Sequence, residues 1–469
     1  MEVYIVGGYC RDKLMGKVPS DKDFVVVGGT VEEMKKKGFI LIHGTRFPVF
    51  VDPKTQDEYA LARKEIKTGS THQDFEFIFT SDITLEDDLY RRDFTINTLV
   101  MNESEEIIHT SLTDQALLDI ENKIIRMVSQ EHFSEDPLRA VRAIRFASIY
   151  GFSIESETEK EVRRIIKSDD FRTVPMERIK SEIDKCFKAN SFQRMFDMFH
   201  DFGIWEIYCP EIEELWNSPE NPKWHPEGNT AGHTSNAIKF LDSYFNKFEH
   251  ADKSKIYCGV IFHDIGKPFT NKDEFPKHHD HDSIGLYQLT DELKDKMKID
   301  NKKFKFIRLV TGNHMRIWKW FGMNDGTKTD LVWSIAEGSE YKVAKQKVKD
   351  FLLCCMADHF GQPLENINYD LAESAINAWT EELMLGYTEM REVKLTPEQL
   401  EKTKKKPELR STQVRLNRIN VYNEIRNQVR LEERMSRSVE DLRVEELKEF
   451  LNTRASKLNS DVFKILGEK

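Results

Sequence analysis

Between residue 1 and about residue 134 the apolar positions fall in short β-branched runs: Val3 to Val6, Phe24 to Val27, Phe47 to Val51 and Ile96 to Met101. Glycines and short stretches of helical spacing separate them. This pattern predicts an α+β head. From Asp136 the pattern changes. Leu138, Val141, Ile144 and Ala147 recur every three residues beside Arg139, Arg142 and Arg145, which predicts a helix with an apolar stripe and a basic one. Few strand signals follow. Pro210 to Pro226, with Pro219, Pro222, Trp216 and Trp224, reads as a connector between helical units. Helical patterning resumes from about 230 and continues, increasingly polar and charged, past Lys404-Lys405-Lys406. The expected organisation is a head over 1–134, a helical neck and body over 135–220, a further helical domain over 221–365 and a charged helical region over 366–469.

Composition narrows this picture. A chain of 469 residues exceeds what one hydrophobic core serves, which agrees with several domains. Hydrophobic residues make up 39% and charged residues 32%, and no run approaches the roughly 20 apolar residues of a membrane span, so no membrane insertion is expected. The opening Met1-Glu-Val-Tyr-Ile-Val-Gly-Gly reads as a strand entering a glycine turn rather than as a leader. Six cysteines without CxxC spacing read as reduced thiols, and a cytoplasmic location is expected. A net charge of −11 argues against indiscriminate nucleic-acid binding and leaves room for RNA held on a local basic face.

The chemistry in the head begins with Gly7-Gly8-x-x-Arg11-Asp12, followed by Asp21-Lys22-Asp23 directly before Phe24-Val-Val-Val27. Alternation along a strand would place Asp21 and Asp23 on one side. Two carboxylates so close repel unless a cation lies between them, and hard oxygen ligands suit Mg2+. A two-metal site of this kind activates an attacking hydroxyl and stabilises a departing pyrophosphate. Gly8 lets backbone N–H groups approach a triphosphate, and Arg11 adds charge-assisted hydrogen bonds. Glu58 is a third candidate carboxylate or, equally, a solvated strand end.

In order along the chain stand VGGxxRD, DxDFVVVG, Arg91-Arg92-Asp93-Phe-Thr-Ile-Asn97 and Glu135-Asp136-Pro-Leu-Arg139-x-x-Arg142. Together they resemble the signature motifs of class II CCA-adding enzymes, tRNA nucleotidyltransferases of the bacterial type with an HD domain, over about residues 1 to 365. The resemblance implies a polymerase-beta-type nucleotidyltransferase head followed by all-α neck and body and an α-helical HD domain. It also implies template-independent addition of CCA to tRNA from CTP and ATP, with Mg2+. Such an enzyme accepts C and A, which share an amino donor beside a ring-nitrogen acceptor. Asp136 accepts and Arg139 donates, so at positions i and i+3 of one helix face the two could read that edge, as the resemblance also implies. Arg92 and Arg142 would be further nucleotide contacts. The polar stretch Arg63 to Asp74 reads as a flexible loop; in the resemblance it matches the loop associated with switching from CTP to ATP. Glu177-Arg178, after Pro175, reads as a bracing helix start without chemistry.

Eight of the 14 histidines lie between His225 and His314. His233, His263-Asp264, His281, His314 and Asp358 form the order H…HD…H…H…D, and imidazole and carboxylate ligands suit Mn2+, Ni2+, Fe2+ or Zn2+. With Val260-Ile-Phe-His263-Asp264-Ile-Gly-Lys267 the pattern resembles the HD phosphohydrolase superfamily. That implies a transition metal such as Ni2+ or Mn2+ and phosphatase or 2′,3′-cyclic phosphodiesterase chemistry suited to 3′-end repair. His225, His278 and His279 read equally as surface or supporting groups. Farther on, Arg410, Arg415, Arg418, Arg426, Arg430 and Arg434 form either a face for tRNA phosphates or the solvated side of a packing helix. Two other functional readings are a poly(A) polymerase of the same superfamily and a non-catalytic RNA-binding protein. The retained Asp21, Asp23, Arg92, Asp136 and Arg139 weigh against the last.

Overall fold

The structure, a computed structural model, describes residues 1–19, 21–43, 47–67, 75–223, 225–361, 367–404, 406 and 408–435. It contains two compact units, one of Met1–Pro210 with Lys296–Lys298, the other of Glu211–Asp295 with the described residues from Ile299 onward.

The first unit opens with strand β1 (Glu2–Val6), followed by β2 (Asp23–Val27), β3 (Ile40–Leu41), β4 (Val49–Val51), β5 (Glu58–Leu61), β6 (Lys64–Lys67), β7 (Phe75–Ile78) and β8 (Val100–Met101). Six of them form a mixed sheet in the order β3-β4-β5-β2-β1-β8. β1 and β2 run antiparallel with Val6 opposite Asp23, and β2 and β5 run parallel with Asp23 opposite Glu58. The sheet is covered on both faces. Val6, Val25 and Val100 pack with Leu85 and Leu89, while Ile5, Phe24 and Met101 pack with Cys10 and Ala116. Thr84 closes the start of helix Leu85–Tyr90 with a capping box.

The Ile96–Met101 run is a strand only at its end, because Thr95–Asn97 forms a 3-10 turn and pairing with β1 begins at Val100. The stretch expected as a loop from Arg63 is partly a hairpin. β6 and β7 pair antiparallel from Lys64↔Ile78 to Lys67↔Phe75, a ladder that its polar β6 partner conceals in the sequence. Residues 68–74 of that stretch lie outside the described residues.

Helix Leu138–Tyr150 buries Ala140, Ala143 and Phe146 as well as the expected Leu138, Val141, Ile144 and Ala147. Arg145, expected on the basic stripe, is buried with them and paired to Glu182 of helix Met176–Lys188. The connector proves partly ordered: Pro210–Glu213 and Glu214–Asn217 are helical turns that bury Ile212 and Leu215.

The second unit is helical. Helices Thr230–Lys247, Lys253–Phe262, Asn301–Asn313 and Tyr341–His359 contribute Phe240, Val260, Ile307 and Phe351 to its core. The long helix Leu409–Met435 lies against Asp325–Ala336: Arg415 forms two hydrogen bonds to Asp330 at 2.7 and 2.6 Å, Arg426 pairs with Asp325, and Arg418 sits 3.4 Å above the Trp333 ring. These three arginines therefore serve packing in this structure. Among the described residues no helix is long and apolar enough to cross a membrane.

Candidate active sites

A cavity of about 630 Å³ opens in the first unit. Gly8, Arg11, Asp23, Arg92, Asp136, Arg139 and Arg142 all line it, together with Glu58, Asp88, Asp93 and Arg178. Asp21 does not line it: it precedes β2, which starts at Asp23, so strand alternation does not extend to it, although its charge acts on the Asp23 carboxyl. The carboxylate that register places beside Asp23 is Glu58 on the neighbouring parallel strand. Burial raises the Asp23 carboxyl above its ordinary pKa, and the charges of Glu58 and Asp21 raise it further against the pull of Arg92. That surplus of negative charge is what a divalent cation would relieve, so these residues fit the Mg2+ expected of them.

Gly7 takes a left-handed φ of 74°, and a Cβ there would stand 3.1 Å from Nη1 of Arg92. Glycine thus permits both the turn and the close approach of that guanidinium. Arg92 Nη2 donates to Asp88 (3.0 Å) and Nη1 to the Asn97 carbonyl (3.0 Å), while its Nε is buried without a partner. Asp88 also accepts from Arg91 Nη2 at 2.6 Å. Burial alone would raise its pKa, but Arg91 and Arg92 outweigh that and hold it at about 2. Arg11, itself buried, donates to Asn97 Oδ1 at 2.5 Å and sits 4.9 Å from the Tyr150 ring centre.

Asp136 and Arg139 differ from the expected arrangement in one respect. Asp136 is not on the helix face. It has an extended conformation just before the helix, where its Oδ1 accepts from the Leu138 backbone N–H at 3.1 Å. The rigid ring of Pro137 between them forces this break. Three residues fix the pair in place. Arg178 holds the Asp136 carboxylate through hydrogen bonds of 3.2 and 2.7 Å, and Arg139 donates to the carbonyls of His132 (2.7 Å) and Arg91 (3.0 Å). Arg178 thus stands in the cavity wall instead of merely bracing the body; 42 residues separate it from Asp136, and only its place at a helix start beside Pro175 marked it in the sequence. Arg142 donates to Asp93 at 2.8 Å, and that pair offsets burial to keep the Asp93 carboxyl far below the usual range.

The second unit brings all six expected metal-ligating residues together. His233, His263, Asp264 and Asp358 form one group of close ligand atoms, and Asp264, His281 and His314 form another. Asp264 belongs to both: its Oδ2 is 3.1 Å from His263 Nε2, and its Oδ1 is 3.5 Å from the Nε2 of His281 and of His314. His233 Nε2 and Asp358 Oδ1 are 3.0 Å apart. The other ring nitrogens explain the geometry. Nδ1 of His263 faces the Val260 carbonyl at 2.7 Å, that of His281 the His278 carbonyl at 2.8 Å, and that of His314 the Thr311 carbonyl at 3.1 Å. A neutral ring that donates from Nδ1 leaves a lone pair on Nε2. Three such lone pairs therefore point at a carboxylate, and Nε2 of His281 and His314 stand 3.3 Å apart. His263 Nε2 and both Asp264 oxygens are buried without a hydrogen bond, although the Lys267 ammonium forms an ion pair at 2.8 Å with Oδ2. This donor set fits a divalent metal.

Gly266 lets the turn after Asp264 press against helix His281–Gln288, since a Cβ would stand 2.0 Å from the His281 carbonyl oxygen. Two supporting carboxylates carried no sequence signal. Glu227 lies 2.8 Å from His225 Nδ1 and 3.4 Å from His233 Nδ1, and Glu220 accepts from Lys267 at 2.7 Å. His278 is a supporting group, its ring between Thr270 Oγ1 at 2.9 Å and the Pro219 carbonyl at 3.1 Å.

The comparisons with known proteins agree with this layout. The Poly A polymerase head domain family matches residues 3–126, the probable RNA and SrmB-binding site of polymerase A matches 151–215, and the HD domain family matches 230–348. A multifunctional CCA protein of Shewanella frigidimarina is 34% identical over 81% of this chain and 89% of its own length. One of Vibrio vulnificus is 36% identical over 80% and 89%. A solved tRNA nucleotidyltransferase, in complex with a primer tRNA and an incoming ATP analog, has the same fold with a TM-score of 0.52, at 22% identity over 81% of this chain and 95% of that one. On the identity and coverage of these relatives, the chain belongs to the multifunctional CCA protein family of nucleotidyltransferases.

Proposed function

We propose that this enzyme adds C, C and A in order to the 3′ end of tRNA, drawing on CTP and ATP without a nucleic-acid template. The observation that carries this reading is that one cavity holds the carboxylates Asp23 and Glu58 together with a fixed acceptor, Asp136, and a fixed donor, Arg139. Asp136 accepts from the exocyclic amino group of C or A, and Arg139 donates to the adjacent ring nitrogen. Uracil and guanine present the opposite pattern and leave both groups unsatisfied. Arg11, Arg92 and Arg142 supply positive charge to the triphosphate and sugar, with Gly8 admitting the phosphates close to the backbone. Mg2+ held by Asp23, with Asp21 or Glu58, would supply activation of the 3′-hydroxyl and neutralisation of the pyrophosphate. In this reading residues 1–134 are the catalytic head, 135–220 the nucleotide-recognition neck and body, 221–365 the HD domain and 366–469 the charged C-terminal region.

The second activity is hydrolysis of phosphoesters at damaged RNA 3′ ends by His233, His263, Asp264, His281, His314 and Asp358. A transition metal such as Ni2+ or Mn2+ in this set would supply a water of lowered pKa. Lys267, held between Glu220 and Asp264, provides a fixed positive charge for the substrate phosphate.

The test is extension of a tRNA lacking CCA, with CTP and ATP supplied singly and together. Ordered addition of two C and one A, lost in Asp21→Ala/Asp23→Ala, is the expected result. Addition of A in long runs would favour a poly(A) polymerase, and no incorporation would overturn the assignment.

A further inference from the structure

The nine-residue 3-10 segment His314–Gly322, HMRIWKWFG, has a chemistry that repeats with its turn of three residues. One row, His314, Ile317 and Trp320, is buried. The next, Met315, Trp318 and Phe321, is 40%, 38% and 62% exposed. The remaining row carries Arg316 and Lys319. Arg316 has a hydrogen bond to the Asn313 side chain at 2.9 Å, and among the described residues neither cation is paired with a carboxylate.

This segment adjoins the metal-ligand cluster. It begins at the ligand His314, and the Trp318 ring lies 5.2 Å from the ring of His359, the residue after the ligand Asp358. The cluster is sealed at most positions: His233, His263, Asp264 and His314 have side chains 2% exposed or less. It opens at Asp358, 15% exposed, and at His281, 12%. Trp318 therefore stands beside the turn of helix that carries Asp358, one of the two open positions, and Phe321 continues the row with its ring 5.3 Å from that of Trp379.

We propose that Met315, Trp318 and Phe321, with Arg316 and Lys319 beside them, form a stacking platform for the last bases of a single-stranded RNA whose 3′ phosphoester enters the cluster. The proposal rests on the phosphohydrolase reading given above. Flat rings interleaved with unpaired cations suit bases and phosphates together, and stacking tolerates any base at a damaged end. Three side chains are too small a face for a stable protein partner, which takes roughly 800 Å² per side.

The test uses the full chain and a 5′-fluorescein tetraribonucleotide with a 3′-phosphate, followed by anisotropy and by phosphate release. Trp318→Ala should weaken binding about 5- to 150-fold, while Trp318→Phe stays within about threefold of the parent. An oligonucleotide abasic at its last two positions should bind weakly and be indifferent to Trp318→Ala. Lys319→Ala should flatten the salt dependence by about one phosphate contact. Undiminished binding by both Trp318→Ala and Phe321→Ala would overturn the platform, as would a loss equal for the abasic oligonucleotide. A change in sedimentation with RNA binding intact would reassign the row to contact with a second copy. Trp318-dependent binding without phosphate release under Ni2+ or Mn2+ would sink the hydrolytic reading and leave the platform standing. Phosphate release with KM unchanged in Trp318→Ala would do the reverse.

Discussion

Asp88→Asn isolates the charge that organises the nucleotide cavity. The Asp88 side chain is 1% exposed and accepts from Arg91 at 2.6 and 3.0 Å and from Arg92 at 3.0 Å. Arg91 in turn offers its carbonyl to Arg139. Asparagine keeps the shape and removes the charge, much as protonation would. The carboxyl is held at about 2 in the folded chain, below its ordinary 3.8, so its ionised form stabilises the fold by a few kcal/mol, on the order of tenfold to a hundredfold in the folding equilibrium. Because the folded pKa is depressed, this stability is fully present above about 3.8 and is lost as pH falls through about 2. Hydrogen exchange of the β1 and β2 amides reads the first unit by itself, and the most protected of them should lose on the order of tenfold to a hundredfold of their protection at neutral pH. The parent should also lose protection on acidification to pH 2 by a step that the variant lacks. With Arg92 freed, the KM for CTP and ATP should rise in parallel. Exchange within twofold of the parent would refute the argument that Asp88 is held by charge rather than by shape.

Arg178→Met should relax selection of CTP and ATP over UTP and GTP by about tenfold, with less than about 1 kcal/mol lost in stability because the Arg178–Asp136 pair is 32% and 26% exposed; misincorporation assays and thermal melts separate the two effects. Arg178→Lys should not restore selection, since an ammonium does not reproduce the two-pronged contact. Gly7→Ala should cost about 1–2 kcal/mol from its left-handed φ and raise the KM for nucleotide by displacing Arg92, read from unfolding and steady-state kinetics. Asp264→Asn should remove tightly bound transition metal, measured by elemental analysis after gel filtration, and abolish phosphate release while CCA addition continues.

Much of the fold was written in the local pattern. β1 and β2 follow from short β-branched runs beside glycines, and the helix Leu138–Tyr150 follows from its three-residue apolar spacing. Both are short-range effects of backbone sterics and side-chain burial, which a sequence displays directly. The cluster of candidate ligands in the helical unit was legible for a different reason: buried imidazoles and carboxylates are costly to retain, so their density over one stretch is itself a signal. Where polar residues make the ladder, as in β6 and β7, the pattern is silent, because pairing there depends on the partner strand.

The sequence by itself determined the α+β head, the helical units after it and the residue types around each site. Tertiary structure alone decided that Glu58 stands beside Asp23, because parallel register and not chain proximity pairs the two residues. It likewise decided that Arg178 fixes Asp136, that Asp264 is shared by two groups of ligands, and that the arginines Arg415, Arg418 and Arg426 pack against a neighbouring helix. The physical reason is common to all of these. Propensity and periodicity act over a few residues, whereas electrostatic and hydrogen-bonding partners are chosen by distances of a few ångströms, which only the packing of remote segments sets.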